Sequence, residues 1–307
     1  MGLRITQSIL ARQALADVSR LRRRLAATQE QATSGLRINR PSDDPVGVRD
    51  ATGLRASLAA RDQFERNITK AENVVSVTES ALGDAMNVII RAKELAVQGA
   101  NGTVGADGRR EIAAEVRGLH DALLAAANTR FGGAYVFSGY TNDTQPFTPG
   151  AGLSVAFTGD PNEIEVAIAE AEQVPITLDG RRVFLGDGDG DGTPDAGRED
   201  LFSILGDLVT ALEANDQAGV GAQLDRLDRA QTQLNLERTR IGAVDSRLRA
   251  AREILGRRET ELTRQLSDTQ DADSVQVYSD IVNQGTALQA SLRASASLVQ
   301  PTLLDFI

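Results

Sequence analysis

Leu227, Leu234, Ile241, Leu248, Leu255 and Leu262 stand seven positions apart along one stretch of the chain. A strict seven-residue apolar step holds one helix face against a partner, so the stretch predicts a long helix packed beside others. The positions three or four further on, Ala230, Val244, Ala251 and Leu266, are filled unevenly. That pattern disfavours an isolated two-stranded zipper and favours a bundle with other helices of the chain. A second seam answers the first: Leu54, Ile68, Val75, Leu82, Ile89 and Ala96 keep the same step, with Arg61 in the skipped place. Asp44 and Pro45 suit the start of this helix, because an aspartate accepts from orphan first-turn amides and a proline at the first position lacks only an unpaired donor. QGANGTVGADG (98–108) ends it, and Ile112, Val116, Leu119 and Leu123 mark a third helix.

The two ends carry narrower seams. Ala11, Ala14, Val18, Leu21, Leu25 and Ala32 define a helix over residues 4–34, closed by Gly35 as C-cap and the turn RPSDDP. Val277, Ile281, Leu288, Leu292 and Leu298 define another from about residue 274. Such small seams bury little surface singly, so residues 1–40 and 270–307 are expected to be disordered in the monomer and to order on assembly.

Between the helical arms the pattern changes. Gly pairs, aromatics and turn residues fill RFGGAYVFSGYTNDTQPF (130–147), and LSVAFTG (153–159), EIEVAI (163–168) and RRVFLG (181–186) read as short strands. EIEVAIAEAEQ (163–173) also reads as a helix. Composition sharpens this division: eight of the eleven aromatics lie between Phe131 and Phe202, and the eight prolines leave two stretches of about a hundred residues free for long helices. The expected fold is mainly α with a small β-rich insert, an elongated helical bundle and coiled coil built by the N- and C-terminal segments. Residues 41–130 and 200–269 form its rod bundle and 131–199 a small β-rich domain.

The 307 residues include no Cys, no Trp and one His. Disulfides, Cys-bound metals and any two-imidazole site are therefore excluded. The net charge of -10 argues against nucleic acid, which requires a basic surface. No apolar run marks a signal peptide or a membrane span, so no membrane insertion is expected. His120 falls beside the apolar face of the third helix and reads as a surface or boundary residue. No phosphate-binding glycine loop and no nucleophile–base pair is present, so the chain reads as a non-enzyme.

One segment carries chemistry. GDGDGDGTPDAGRED (186–200) places Asp187, Asp189, Asp191 and Asp195 at positions 1, 3, 5 and 9 of an EF-hand-like loop, with Gly192 at position 6. Position 12, which requires a bidentate carboxylate, holds Arg198. The loop reads as a looser Ca²⁺ site that stiffens the link into the next helix, or as a solvated acidic turn; no cofactor is required. A calcium-dependent secreted adhesin or hydrolase is the reading it supports from another class. RLRRRL (20–25) reads as the polar face of a bundle helix, or as a subunit contact.

TSGLRINRPSDDPVG (33–47), ITKAENVVSVTESAL (68–82) and RAKELAVQGANGT (91–103) resemble the N-terminal signature of the flagellin superfamily. FGGAYVFSGYTNDTQPF (131–147) and the terminal LLDFI (303–307) are more similar to its hook-filament junction branch than to filament flagellins. The resemblance implies a rod-shaped structural subunit of the bacterial flagellum. Its terminal helices pair as an axial coiled coil, and it is exported unfolded by the type III route without a cleaved signal peptide. It implies as partners further copies in a ring, a neighbouring hook-associated protein, flagellin and an export chaperone. Val18, Leu21, Leu25, Ile281, Leu288 and Leu292 would then bury apolar seams between neighbouring subunits, with Asp43 and Asp44 adding polar contacts. A filament flagellin is the alternative within the superfamily. Segment 186–200 departs from the general pattern.

Overall fold

The computed structural model describes the backbone of residues 2–299 and the side chains of residue 9 and residues 12–296. The terminal LLDFI and the Leu298 side chain lie outside the described residues. Among the described residues six α-helices span Gly2–Ser34 (α1), Pro45–Gly99 (α2), Ala106–Ala127 (α3), Leu201–Glu213 (α4), Gln217–Gln270 (α5) and Ser274–Val299 (α6). Three antiparallel strand pairs lie between α3 and α4. They are Arg130–Phe131 (β1) with Ala134–Tyr135 (β2), Phe147–Pro149 (β3) with Val155–Phe157 (β4), and Glu165–Ala169 (β5) with Glu172–Pro175 (β6). The chain divides into two units: residues 1–60 with 257–307, and residues 61–256.

In the larger unit the two seven-residue seams meet as the sequence predicts. Ile68, Val75, Leu82, Ile89 and Ala96 of α2 are buried, as are Leu227, Leu234, Ile241, Leu248 and Leu255 of α5. Glu72 with Arg252 (2.6 Å), Glu79 with Arg238 (3.7 Å) and Lys93 with Asp228 align the two helices antiparallel. α3 packs on α4, and Ile112, Val116 and Leu123 enter the same core. Arg109 at the start of α3 is buried, donating from Nε to the Gly99 carbonyl (2.8 Å) and from Nη2 to that of Asn101 (3.2 Å). A guanidinium there satisfies carbonyls that the end of α2 leaves without intrahelical donors.

Two expectations are corrected by the structure, and one open alternative is decided. RRVFLG is a π-helical turn over Arg181–Leu185, not a strand. Val183 and Phe184 point into the core from this turn, and it ends at Gly186 with φ +70°, where a Cβ would meet the Glu199 carbonyl oxygen at 2.8 Å. EIEVAI is a strand as expected, and EIEVAIAEAEQ forms the β5–β6 hairpin instead of its helical alternative, with a register irregularity between Ala167 and Ala169. His120 is buried rather than at the surface, because Phe202 of α4 covers it edge-on at 5.5 Å and Nε2 lies 2.9 Å from the Leu153 carbonyl.

The strand pairs have no separate core. Phe137, Phe147 and Phe184 are fully buried; Phe147 and Phe184 meet Phe202 of α4, with ring centroids 5.8 and 6.3 Å away, and Phe137 meets Phe184 at 5.0 Å. The boundaries at 131 and 199 therefore do not enclose an independent unit. Segment 131–199 completes the bundle of residues 61–256.

Candidate assembly surfaces and the acidic loop

The smaller unit is built around α1 and α6. At their junction Leu36 bridges Asp271, Arg37 N–H donates to the Gln270 carbonyl (2.7 Å), and Ala272 N–H donates to that of Gly35 (2.9 Å). Gly35 sits at φ +73°, a conformation a glycine adopts without the clash a Cβ brings. Thr28 Oγ1 meets Gln284 Oε1 at 3.2 Å further along, so the two helices run antiparallel.

Val18 and Val277 are buried, and Leu21, Leu25, Ile281 and Leu288 are half-buried. These positions lie on the faces that α1 and α6 turn towards each other within one chain. The shielded positions of α6 include 277, 281, 284, 288, 291 and 295, so Ser291 holds the seam and Leu292, one residue on, is 39% exposed. An outer face remains uncovered, including Leu15 of α1 and Val275, Tyr278 and Val282 of α6.

The turn before α2 is tied by its two aspartates. Asp43 accepts from the Asn39 and Arg40 amides (3.2 and 2.8 Å), while Asp44 accepts from the Gly47 amide at 2.9 Å. This hydrogen bond from Gly47, with Arg37 at 3.2 Å, holds the Asp44 carboxyl below its ordinary value against the opposing effect of desolvation. Asp44 is the N-cap the sequence predicts, and both side chains act inside the turn.

In the acidic loop, one oxygen each of Asp187, Asp189 and Asp191 lies within 4.8 Å of the others. Asp187 is buried and accepts from the Gly190 amide (2.6 Å) and the Gly192 amide (3.1 Å). Asp195 is turned to the Gly188 amide at 3.0 Å and lies outside the cluster of three. Thr193, through its hydroxyl and amide, holds the Asp191 carboxyl below its ordinary value. Arg198 turns away from the loop and donates to Glu237 of α5 at 2.9 Å. Arg182 of the π-helical turn reaches the same carboxylate at 3.1 Å, and Gln233 donates to the Val183 carbonyl at 2.8 Å. The fully buried Glu237 thus anchors both ends of the loop to α5. The sequence reading missed this anchor: Glu237 stands three residues after Leu234 on the apolar face, and its register was the available signal. Asp200 caps α4 by accepting from the Phe202 and Ser203 amides, and burial raises its carboxyl above the ordinary value.

What unites these features is mechanical. Paired helices, an anchored loop and a continuous apolar core hold shape, and no helix among the described residues is long and apolar enough to cross a membrane. Residues 5–142 match the family described as the bacterial flagellin N-terminal helical region, and residues 224–307 the bacterial flagellin C-terminal helical region. The chain belongs to the flagellin family, whose members are structural proteins of the bacterial flagellum rather than enzymes. It is 31% identical to flagellar hook-associated protein 3 of Escherichia coli over 86% of this chain and 87% of that one. To flagellar hook-associated protein 3 of Salmonella typhimurium it is 28% identical over 95% of each chain. A flagellar hook-associated protein structure from Vibrio parahaemolyticus shares the fold, with a TM-score of 0.65 and 20% identity over 75% of this chain and all of that one. The calcium-dependent adhesin reading finds no support among these relatives.

Proposed function

We propose that this chain is the adapter that joins hook to filament, forming a ring through its terminal helices between a neighbouring hook-associated protein and flagellin. The observation that carries this reading is similarity to two hook-associated proteins over 86% and 95% of the chain. The α1–α6 pair supplies the mechanical element. In the monomer these helices are only half-covered, and assembly with further copies completes their burial and orders them. Export proceeds unfolded by the type III route with a chaperone and without a cleaved signal peptide; the absence of cysteine is compatible with threading.

Immunogold labelling of isolated flagella with an antibody against residues 131–200 tests the assignment. A single band at the hook-filament boundary is expected. Label along the whole filament refutes the adapter role in favour of a flagellin.

Calcium is proposed only as an accessory ligand of the acidic loop, supported by the convergence of Asp187, Asp189 and Asp191. Without a twelfth-position carboxylate its affinity belongs to the weak end of such loops.

A further inference from the structure

The distribution of paired and unpaired arginines is uneven. In residues 61–256 even Arg240, at the surface, is held bidentately by Glu163 (2.6 and 2.7 Å), and Arg226 bridges Glu199 and Asp207. On α1 the reverse holds. Arg12, Arg22, Arg23 and Arg24 are exposed and have no partner among the described residues, while Arg20 is tied to Asp17 at 2.8 Å. Three consecutive helical residues point about 100° apart, so Arg22, Arg23 and Arg24 sweep about 200° of the circumference. The remaining arc holds Leu21 and Leu25, which face α6.

Charge is segregated in the same sense. Residues 61–256 carry 31 acidic against 19 basic side chains, whereas residues 1–60 and 257–307 together carry 12 against 14. Copies with a net charge of -10 repel one another, so contact between them is steered to a place where unpaired positive charge meets the prevailing negative surface. Asp84 and Glu111 are exposed and have no cation beside them among the described residues, so a neighbouring copy offers free carboxylates. We propose that Arg22, Arg23 and Arg24 form a basic collar on α1 that pairs with carboxylates of a second copy of this chain in the assembled ring. The proposal rests on the adapter reading. It assigns the collar to the ionic part of the contact, with the outer apolar residues of α1 and α6 left for the rest.

The test uses purified full-length protein added to isolated hooks that carry the preceding hook-associated protein but lack this subunit, with incorporation counted by immunogold. The triple variant Arg22→Glu, Arg23→Glu, Arg24→Glu is expected to incorporate at least about tenfold less than the wild type. The triple Arg→Lys variant is expected to match the wild type, since charge suffices. Circular dichroism controls for folding, and the exposed positions and the good helix propensity of Glu favour an intact α1. Wild-type incorporation by the triple Glu variant overturns the collar while leaving the adapter reading intact. Failure of the wild type itself to join the hooks refutes the adapter reading and the collar with it. Sedimentation with phosphatidylglycerol vesicles is the last arm: wild-type binding that the Glu variant loses, with incorporation unchanged, overturns the collar in favour of an anionic lipid surface.

Discussion

Replacing Glu237 by Ala is expected to destabilise residues 61–256 far more than a surface ion pair would. Glu237 Oε1 accepts from Arg182 Nε (3.2 Å), Arg182 Nη2 (3.1 Å) and Arg198 Nη2 (2.9 Å), and Oε2 accepts from Arg182 Nη2 (3.1 Å). Its side chain is 0% exposed, while those of Arg182 and Arg198 are 31% and 17% exposed. Removing one partner of a buried pair costs about 3–5 kcal/mol because the opposite charge stays behind. Both arginines retain some water, so the lower value, about 3 kcal/mol, applies. A unit of about 200 residues unfolds with an entropy of about 0.4 kcal/mol/K, so the midpoint should fall by about 7 °C in scanning calorimetry. Arg182→Ala should cost about 1–2 kcal/mol, since Arg198 still covers the carboxylate and Arg182 is the more exposed cation. A Glu237→Ala midpoint within about 2 °C of the wild type would refute the claim that this carboxylate anchors the loop to α5.

Other consequences are open to direct measurement. Calcium at about 5 mM, against a Kd of about 0.5 mM at the weak end of such loops, should stabilise the protein by about 1.4 kcal/mol and raise its midpoint by about 3 °C relative to EDTA. Asp187→Asn should remove that difference, and equal wild-type midpoints in calcium and EDTA would sink the calcium reading. Asp200→Ala should cost about 1 kcal/mol by uncapping α4, read by urea denaturation. Asp200→Asn keeps an acceptor for the Phe202 and Ser203 amides but cannot titrate. Burial raises the Asp200 carboxyl in the folded state, so its relative contribution is greatest below the ordinary carboxylate value and is lost as pH rises through the raised one. The variant should therefore gain on the wild type as pH rises above the ordinary carboxylate value; a gap that moves the other way contradicts the burial argument. Deleting residues 274–307 should leave residues 61–256 folded and the chain unable to join the hook, and normal incorporation would remove α6 from the assembly surface.

The helices were legible because a seven-residue step needs no distant information. Leu227 to Leu255 and Ile68 to Ala96 are spaced by the geometry that buries them. The caps at Gly35 and Asp44 were legible for a similar reason, since each is set by local backbone chemistry. The middle segment was less so. Val183 and Phe184 in RRVFLG have the composition of a strand, yet a π-helical turn places both in the core, a choice made by packing against Phe137 and Phe202. His120 was misplaced because the segment that covers it, around Leu153, is 33 residues distant in sequence.

The assembly surface shows the same limit from the other side. Period alone identified Val18, Leu21, Leu25, Ile281 and Leu288 as apolar seams, but a seam does not name its partner. In the chain these residues face one another across α1 and α6, so the surfaces open to a neighbour are those outside the seams. Leu15, Val275, Tyr278 and Val282 are exposed there, and α1 carries Arg22, Arg23 and Arg24, whose charges meet no acid among the described residues. A subunit that satisfies its seams internally must bind its neighbours through the residues that break the pattern. For α1 those residues are basic on a chain of net charge -10, which makes ionic strength the natural variable for assembly. Wild-type incorporation into isolated hooks should fall as salt rises from about 0.05 to about 0.5 M, while the triple Glu variant responds less. Equal salt dependence of the two would show that the attraction lies elsewhere on the chain.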